Sequence, residues 1–562
     1  LEEKHLSKKL HHQVKIIPLG GVGELGKNMF LVEVDKKIFV LDAGIMYPET
    51  EMLGIDFVIP DFQYLVENKS RIQGIFLSHG HEDHIGALPY MVEELDVPIY
   101  ATKLTLELAK SNINQTIKSV SPNYIEIEKN TILEFGNLSV SFFQTNHNIP
   151  GSVGIVINTK DGAIVYTGDF KFDQSAHGFY QAEIGKIASI GEKGVLCLIS
   201  ECNGAEKPGF TPSESIISGR MNEQFFRAKG RIFVACFASN IAGLQHVFNA
   251  AKANKRKIAI LGRRLETVYH IAMDLGFLEV DDDIIISVNQ AQKLPHEQVV
   301  ILTTGDQGAP FNTLQRMVKG THRVINISAE DTVLIAASPM VGSELRLSKT
   351  VNLLTRIGAD VVFGPNKIHV SGNGSQEELK MMINLTRPEY VVPVHGDYKM
   401  MMSLKKMAES LGIDSNKIPL LENGEILEIS DGVAEIRGKV ASGNVLIDGI
   451  GVGDVGGIVL RDRKTLSQDG VVIVTATISR STKKIIAGPE VITRGFVFVR
   501  ESEELIVESK AIVKKTIEKR LNADQLEWST MKNEVRDSLY NYLYDKTKRR
   551  PLIMPIIMEV RS

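Results

Sequence analysis

The stretch Ser78-His79-Gly80-His81-Glu82-Asp83-His84-Ile85-Gly86 constrains this chain more than any other. Four potential metal ligands, His79, His81, Asp83 and His84, fall within six consecutive positions, directly after an apolar run, Gly74-Ile75-Phe76-Leu77, that reads as a buried strand. Imidazole and carboxylate in this mixture suit zinc, manganese or iron(II). On a turn after a strand, His79 and His81 point to one side and Asp83 and His84 to the other, so one loop can serve two adjacent ions. The spacing predicts a dinuclear centre. A lone histidine in an apolar run is more often a packed core side chain, but packing does not explain the repetition in H-x-H-x-D-H.

At 562 residues the chain exceeds what a single hydrophobic core serves, so several domains are expected. Its 43% hydrophobic and 23% charged residues are those of ordinary globular proteins. The formal charge is only −4, so binding to nucleic acid would rely on a local basic channel and not on overall attraction. Cys197, Cys202 and Cys236 lack zinc-finger spacing and lie in or beside apolar runs, which reads as small core residues in a reducing compartment. No apolar run reaches the ~18 residues of a membrane span, and Leu1 to His5 has no signal-peptide core, so a cytoplasmic protein without a membrane partner is expected. His11-His12 reads as part of a mobile basic lead-in and not as a site.

Along the chain, Val14 to Leu19 reads as a first strand, followed by Gly20-Gly21-Val22-Gly23-Glu24-Leu25-Gly26. Gly21, Gly23 and Gly26 fit G-x-G-x-x-G, but that fingerprint should open a helix in a βαβ unit. Here Met29–Val34 and Lys37–Leu41 read instead as a hairpin about Asp35-Lys36, which leaves the glycines as a tight turn near a site. Asp42, at a strand end, is placed either to orient a metal-bound histidine or to cap a turn. Leu88 to Glu94 reads as a helix, and Leu138 to Phe143 as a strand. His147 follows at another strand end, where it would complete a set with His79 and His81. Asp169, at the end of Gly162 to Thr167, has two oxygens and is the natural bridge between two ions.

The order Asp42, H-x-H-x-D-H, His147, Asp169 resembles the metallo-β-lactamase fold, an αββα sandwich with its dinuclear site at one sheet edge. Within the chain, Ile232 to Cys236, Lys257 to Leu261 and Val299 to Thr303 are continuous apolar strands alternating with helical stretches such as Ile241 to Ala251, the pattern of a covered parallel sheet. His369-Val370-Ser371-Gly372-Asn373-Gly374 and Pro393-Val394-His395-Gly396-Asp397 follow. Together these resemble the β-CASP branch of that superfamily, and within it the ribonuclease J family. The resemblance implies an α/β architecture: a metallo-β-lactamase domain over 1–212 and 365–425, a β-CASP domain over 213–364, and a small α/β dimerisation domain over 449–562; the polar, Gly-containing composition near Leu420 to Val440 reads as a linker, over 426–448. It implies a metal-dependent ribonuclease of mRNA decay and rRNA processing, acting endonucleolytically and as a 5′–3′ exonuclease, with preference for 5′-monophosphate ends. Two divalent ions, zinc or manganese, would be held by His79, His81, His147 and Asp169, and by Asp83, His84, Asp169 and His395. Ser239, Asn240, His369, Ser371 and Gly372 match phosphate-holding segments, although a turn or cap before Ile241 also accounts for Ser239. Asp83, Asp169 and Glu201 carry over as catalytic.

The departures set the expected level of activity. Asn373 stands where the family usually has a histidine that protonates or stabilises the leaving oxygen, and it also lies among the substrate-holding residues. An amide has no titratable proton near neutrality, and losing a general acid costs about 10² to 10⁴ in rate. Glu201 replaces the usual aspartate, with Cys202-Asn203 where Ser-Thr is usual, and Asp306 adds a negative charge beside a phosphate path. The chain in these respects resembles the weakly active second paralogue of Gram-positive bacteria, which associates with the active one. A ribonuclease of reduced turnover, in a homodimer or hetero-oligomer with a paralogue, is therefore expected. The alternatives are a non-catalytic RNA-binding scaffold subunit and, disfavoured by the inserted block, a small-molecule hydrolase. Near the end, strands over Gly470 to Ile478 and Gly495 to Val499 and amphipathic helices carrying Val513, Ile517, Leu521 and Met531, Val535, Leu539, Leu543 are expected. A final buried strand over Pro551 to Val560 should follow, and Lys546 to Arg550 reads as a solvated basic face more readily than an RNA contact.

Overall fold

Alternation of apolar residues builds the sheets that carry the metal loop. The computed structural model describes residues 12–117, 120–281, 283–304, 311–337, 343–364, 367–449, 451–497, 502–523 and 527–560. An eight-stranded sheet runs in the order Val433–Lys439, Glu425–Ser430, Val14–Gly20, Met29–Val34, Lys37–Leu41, Ile72–Phe76, Ile99–Ala101, Tyr124–Glu126. A six-stranded sheet runs Tyr390–Val394, Val195–Glu201, Gly162–Tyr166, Val153–Thr159, Leu138–Gln144, Ile132–Phe135. Their inner faces share one core, in which the Phe30 and Tyr166 rings meet at 5.5 Å and those of Phe39 and Phe135 at 5.4 Å. This is the expected sandwich.

The hairpin about Asp35-Lys36 forms as read, with both residues at positive φ, the backbone a two-residue turn needs. The glycine run opens no helix, and Val22–Gly23 instead pairs with Gly396–Asp397. The expected helix over Leu88 to Glu94 shortens to Leu88–Met91. The inserted block forms a five-stranded, wholly parallel sheet ordered Lys257–Leu261, Val299–Thr303, Ile232–Cys236, Thr332–Ala336, Asp360–Val362, with its own core around Phe233, Ile301 and Leu314.

Other expectations are corrected. Residues 426–448 are not simply a linker: Glu425–Ser430 and Val433–Lys439 form an antiparallel hairpin, and the first of these strands pairs with Val14–Ile16. Leu427 and Ile429 are buried there, which ties the hairpin to the sandwich. The chain divides into compact units between Val445 and Leu446, and the second unit also takes in Pro48–Ile55. His12 is buried, its N–H donating to Asp161 and its Nδ1 lying 2.5 Å from Asp35 Oδ2, so it belongs to the fold and not to a mobile lead-in.

The second unit has its own core, where Val513, Ile517, Leu521, Met531, Val535, Leu539 and Leu543 pack on Val472, Val474, Ala476 and Ile478. Its sheet is ordered Lys484–Arg494, Val471–Ser479, Leu552–Glu559. The strand expected from Gly495 is absent over the described part of that stretch, because Lys484–Arg494 already fills the place and Gly495 turns away at positive φ; Phe498 and Val499 lie outside the described residues. The last strand is not wholly buried. Ile553 and Ile557 face the core while Met554, Ile556 and Met558 are exposed, since the sheet is covered by helices on one face. In the basic run, Lys548 and Arg550 lie over the Tyr544 ring and Arg549 donates to Phe496 O. Among the described residues no helix is long and apolar enough to cross a membrane.

Candidate metal centre

One buried carboxylate organises the loop. Asp42 ends the strand Lys37–Leu41 with a left-handed backbone, φ 62°, which a residue with a Cβ adopts only when its surroundings impose it. Its Oδ1 accepts from Ser78 N at 2.7 Å, and its Oδ2 from Ser78 Oγ, Tyr166 OH and His84 Nδ1, each at 2.7 Å. With Nδ1 held by Asp42, Nε2 is the nitrogen that faces the cluster, where it lies 3.2 Å from Asn28 Nδ2. Gly44 is required nearby, because a Cβ there would lie 1.6 Å from Asp83 O.

Three imidazoles form the first cluster. His81 Nδ1 lies 3.1 Å from His79 Nε2 and 3.1 Å from His147 Nε2, while His147 Nδ1 donates to Gly372 O at 2.8 Å. Nitrogens bonded tetrahedrally to one zinc at about 2.0–2.1 Å would be separated by roughly 3.3 Å, so the set fits. Gly372 passes so close that a Cβ would meet His147 Cε1 at 2.5 Å. Burial, aided by the neighbouring imidazoles, holds His79 well below the ordinary histidine value. Burial likewise brings His81 down to about 3, and takes His147 down to about 4 against the pull of Asp169. All three imidazoles are thus held toward the neutral form that binding a cation requires.

The second cluster joins Asp83, His84 and His395. His395 also has a left-handed backbone, φ 49°, pinned by its N–H to Gly21 O at 2.7 Å, which is the use the fold makes of the glycine turn. Asp169 spans both clusters: Oδ1 lies 2.7 Å from His395 Nδ1 and 3.5 Å from His84 Nε2, and Oδ2 lies 3.9 Å from His147 Nε2. Burial alone would lower His84, but Asp83, Asp169 and Asp42 outweigh it and push it up to about 10. Burial would raise Asp169, but His395 and His84 hold it well below the carboxylate range. The nitrogen and oxygen donors gathered in these clusters match a hard or borderline divalent ion.

Glu201 and Asn373 adjoin this cluster. Glu201 lies within ligand reach of Asp169 and His395, and its Oε1 accepts from Phe170 N at 2.8 Å. Burial, then the Asp169 charge, push Glu201 well above its ordinary value. Asn373 Nδ2 donates to Glu201 Oε2 at 2.7 Å and to Asp169 Oδ2 at 3.0 Å. The amide therefore sits among the ligands, committed to two carboxyl groups.

The remaining expected site residues surround it. The helix Ile241–Ala253 is capped by Asn240, whose Oδ1 accepts from Gly243 N at 2.9 Å, and not by Ser239, which lines a cavity of about 500 Å³ with Gly80, Arg263 and Arg264. Ala242 N donates to Asn148 O at 3.1 Å, which sets the start of that helix beside His147. Burial lowers His369, and Ser371 Oγ accepts from Asn373 N at 3.1 Å. Asp306 lies outside the described residues. Sequence reasoning missed Tyr47 and Arg264, which hold Glu82 of the metal loop through a 2.6 Å hydrogen bond and an ion pair. It also missed the buried Lys171, for which no spacing rule gives a signal.

Four family models match this chain: "Metallo-beta-lactamase superfamily" over residues 22–179, "Ribonuclease J, beta-CASP domain" over 229–354, "Zn-dependent metallo-hydrolase RNA specificity domain" over 359–419 and "Ribonuclease J C-terminal domain" over 458–560. Ribonuclease J2 of Bacillus subtilis is 48% identical over 555 residues, covering 99% of this chain and 100% of the relative. Ribonuclease J 2 of Staphylococcus aureus is 45% identical over the same length, again with 99% and 100% covered. A crystal structure of a protein of unknown function from Enterococcus faecalis matches with TM-score 0.52 at 17% identity, covering 74% of this chain and 100% of that one, a likeness of fold.

Proposed function

The chain belongs to the ribonuclease J family, and from that premise we propose that it is a metal-dependent ribonuclease of RNA decay and maturation, working from 5′-monophosphate ends and also internally, at reduced turnover. The observation that carries this reading is Asp169, one carboxylate extended between a three-imidazole cluster and an Asp83, His84, His395 cluster. Two divalent ions, zinc or manganese, bound there would supply Lewis acidity toward water and a phosphodiester.

The chain's own residues do the rest. His79, His81 and His147 stay neutral, and Asp42 fixes the His84 tautomer. Ser239, the start of the helix capped by Asn240, and the segment His369, Ser371, Gly372 offer hydroxyl and backbone donors to a phosphate. Asn373 reaches the cluster with an amide that has no proton to give, and this supports slow leaving-group departure. The relatives named Ribonuclease J2 and J 2 support a place among second paralogues, and the proposed role includes pairing with itself or with a more active paralogue. Exposed Met554, Ile556 and Met558 on the last strand of the C-terminal unit favour such an assembly.

Asn373→His tests the catalytic reading. Hydrolysis of 5′-monophosphorylated RNA should rise about tenfold or more, a threshold set below the roughly 10² to 10⁴ that a general acid usually contributes. No rise in a folded, metal-loaded variant would favour the alternative, an RNA-binding scaffold subunit of a hetero-oligomer.

A further inference from the structure

Lys171 carries its charge to a place that water does not reach, its side chain being 0% exposed. It follows Asp169 by two residues, and its backbone N–H donates at 2.8 Å to the carbonyl of Asn146, the neighbour of His147. Its Nζ donates to Glu214 Oε1 at 3.1 Å and to Ser371 O at 3.2 Å. Glu214 opens the helix Glu214–Arg227, and its other oxygen lies 3.3 Å from His246 Nε2, on the helix that Asn240 caps. Four segments far apart in sequence thus meet through one ammonium–carboxylate pair. A buried ion pair adds little net stability and is costly to leave half-made, so stability alone does not account for this one.

We propose that Lys171 is a positioning residue for the RNA 5′ end. It holds the Ser371 carbonyl directly and, through Glu214 and His246, the helix start at Asn240, which fixes the donors of both segments at a set distance from the metal centre. A cation on the Ser371 carbonyl also polarises the peptide toward Gly372, strengthening the next N–H as a donor to an anion. Having no exposed surface, Lys171 acts through these neighbours and does not touch the phosphate. The inference rests on the proposed reading of those segments as the holder of a terminal phosphate.

The test is binding of two RNAs of one sequence, one with a 5′-monophosphate and one with a 5′-hydroxyl, to the full metal-loaded chain by fluorescence anisotropy. Lys171→Met should lower the ratio of the two affinities about tenfold or more, the effect of a displaced charge-assisted hydrogen bond. Affinity for the 5′-hydroxyl RNA and the bound-metal content should stay unchanged. Should that variant not fold, Glu214→Gln, which keeps the shape and removes the charge orienting Nζ, must give the same loss. A ratio equal to that of the unsubstituted protein, or an equal loss for both RNAs, overturns the positioning role alone. No preference in the unsubstituted protein removes end recognition itself, and this role with it.

Discussion

Asp42 shows how far a single residue reaches. Its carboxylate collects Ser78, Tyr166 and His84, and so couples the metal loop to the opposite sheet. Asp42→Asn replaces one acceptor oxygen with an amide donor, leaving either Ser78 N or His84 Nδ1 unsatisfied. Metal affinity should fall about 10- to 100-fold, the usual effect of losing such a support, measured by competition with a chromophoric chelator. Unchanged affinity would show that His84 is oriented by other contacts. The clusters of candidate ligands were legible because imidazoles and carboxylates recurring at strand ends serve little purpose besides holding a cation. Lys171 and Arg264 were not legible, because a basic side chain in sequence looks the same whether it is solvated or paired with a distant carboxylate.

Elements are fixed by buried polar groups as much as by apolar faces. Glu378, on the helix Gln376–Thr386, is fully buried, and its carboxylate accepts from Phe172 N at 3.1 Å, Thr211 N at 2.8 Å and Ser375 N at 2.6 Å. It ties that helix to the segments leaving the metal strands. Glu378→Gln sets an amide donor against at least one of these N–H groups, and should destabilise the fold by about 1–3 kcal/mol, read from the shift of the urea midpoint at unchanged slope. A neutral result would mean that water or a backbone shift takes over the lost contact. The Asp35-Lys36 hairpin was readable because apolar alternation and turn agree. The Glu425–Lys439 hairpin was missed because its outer strand, Val433–Lys439, is largely exposed, so polar composition read as linker.

At the scale of the molecule, the proposed ligands lie in the first compact unit, and residues 446–562 keep a separate core. Scanning calorimetry with and without a chelator should lower one transition and leave the other in place. An ion present at 100 to 1,000 times its Kd contributes about 2.7–4.1 kcal/mol to the unit that binds it. Equal shifts in both transitions would show that the units unfold as one. The sequence by itself determined the order of imidazole- and carboxylate-bearing strand ends, the inserted parallel sheet and the helical faces, since each follows from local periodicity or spacing, while the fold class was legible only through the family resemblance that this order carries. Only the tertiary structure decided that Asp169 faces both clusters and that Asn373 is shared between Asp169 and Glu201. These depend on which distant groups share a buried volume, and local pattern carries no record of that.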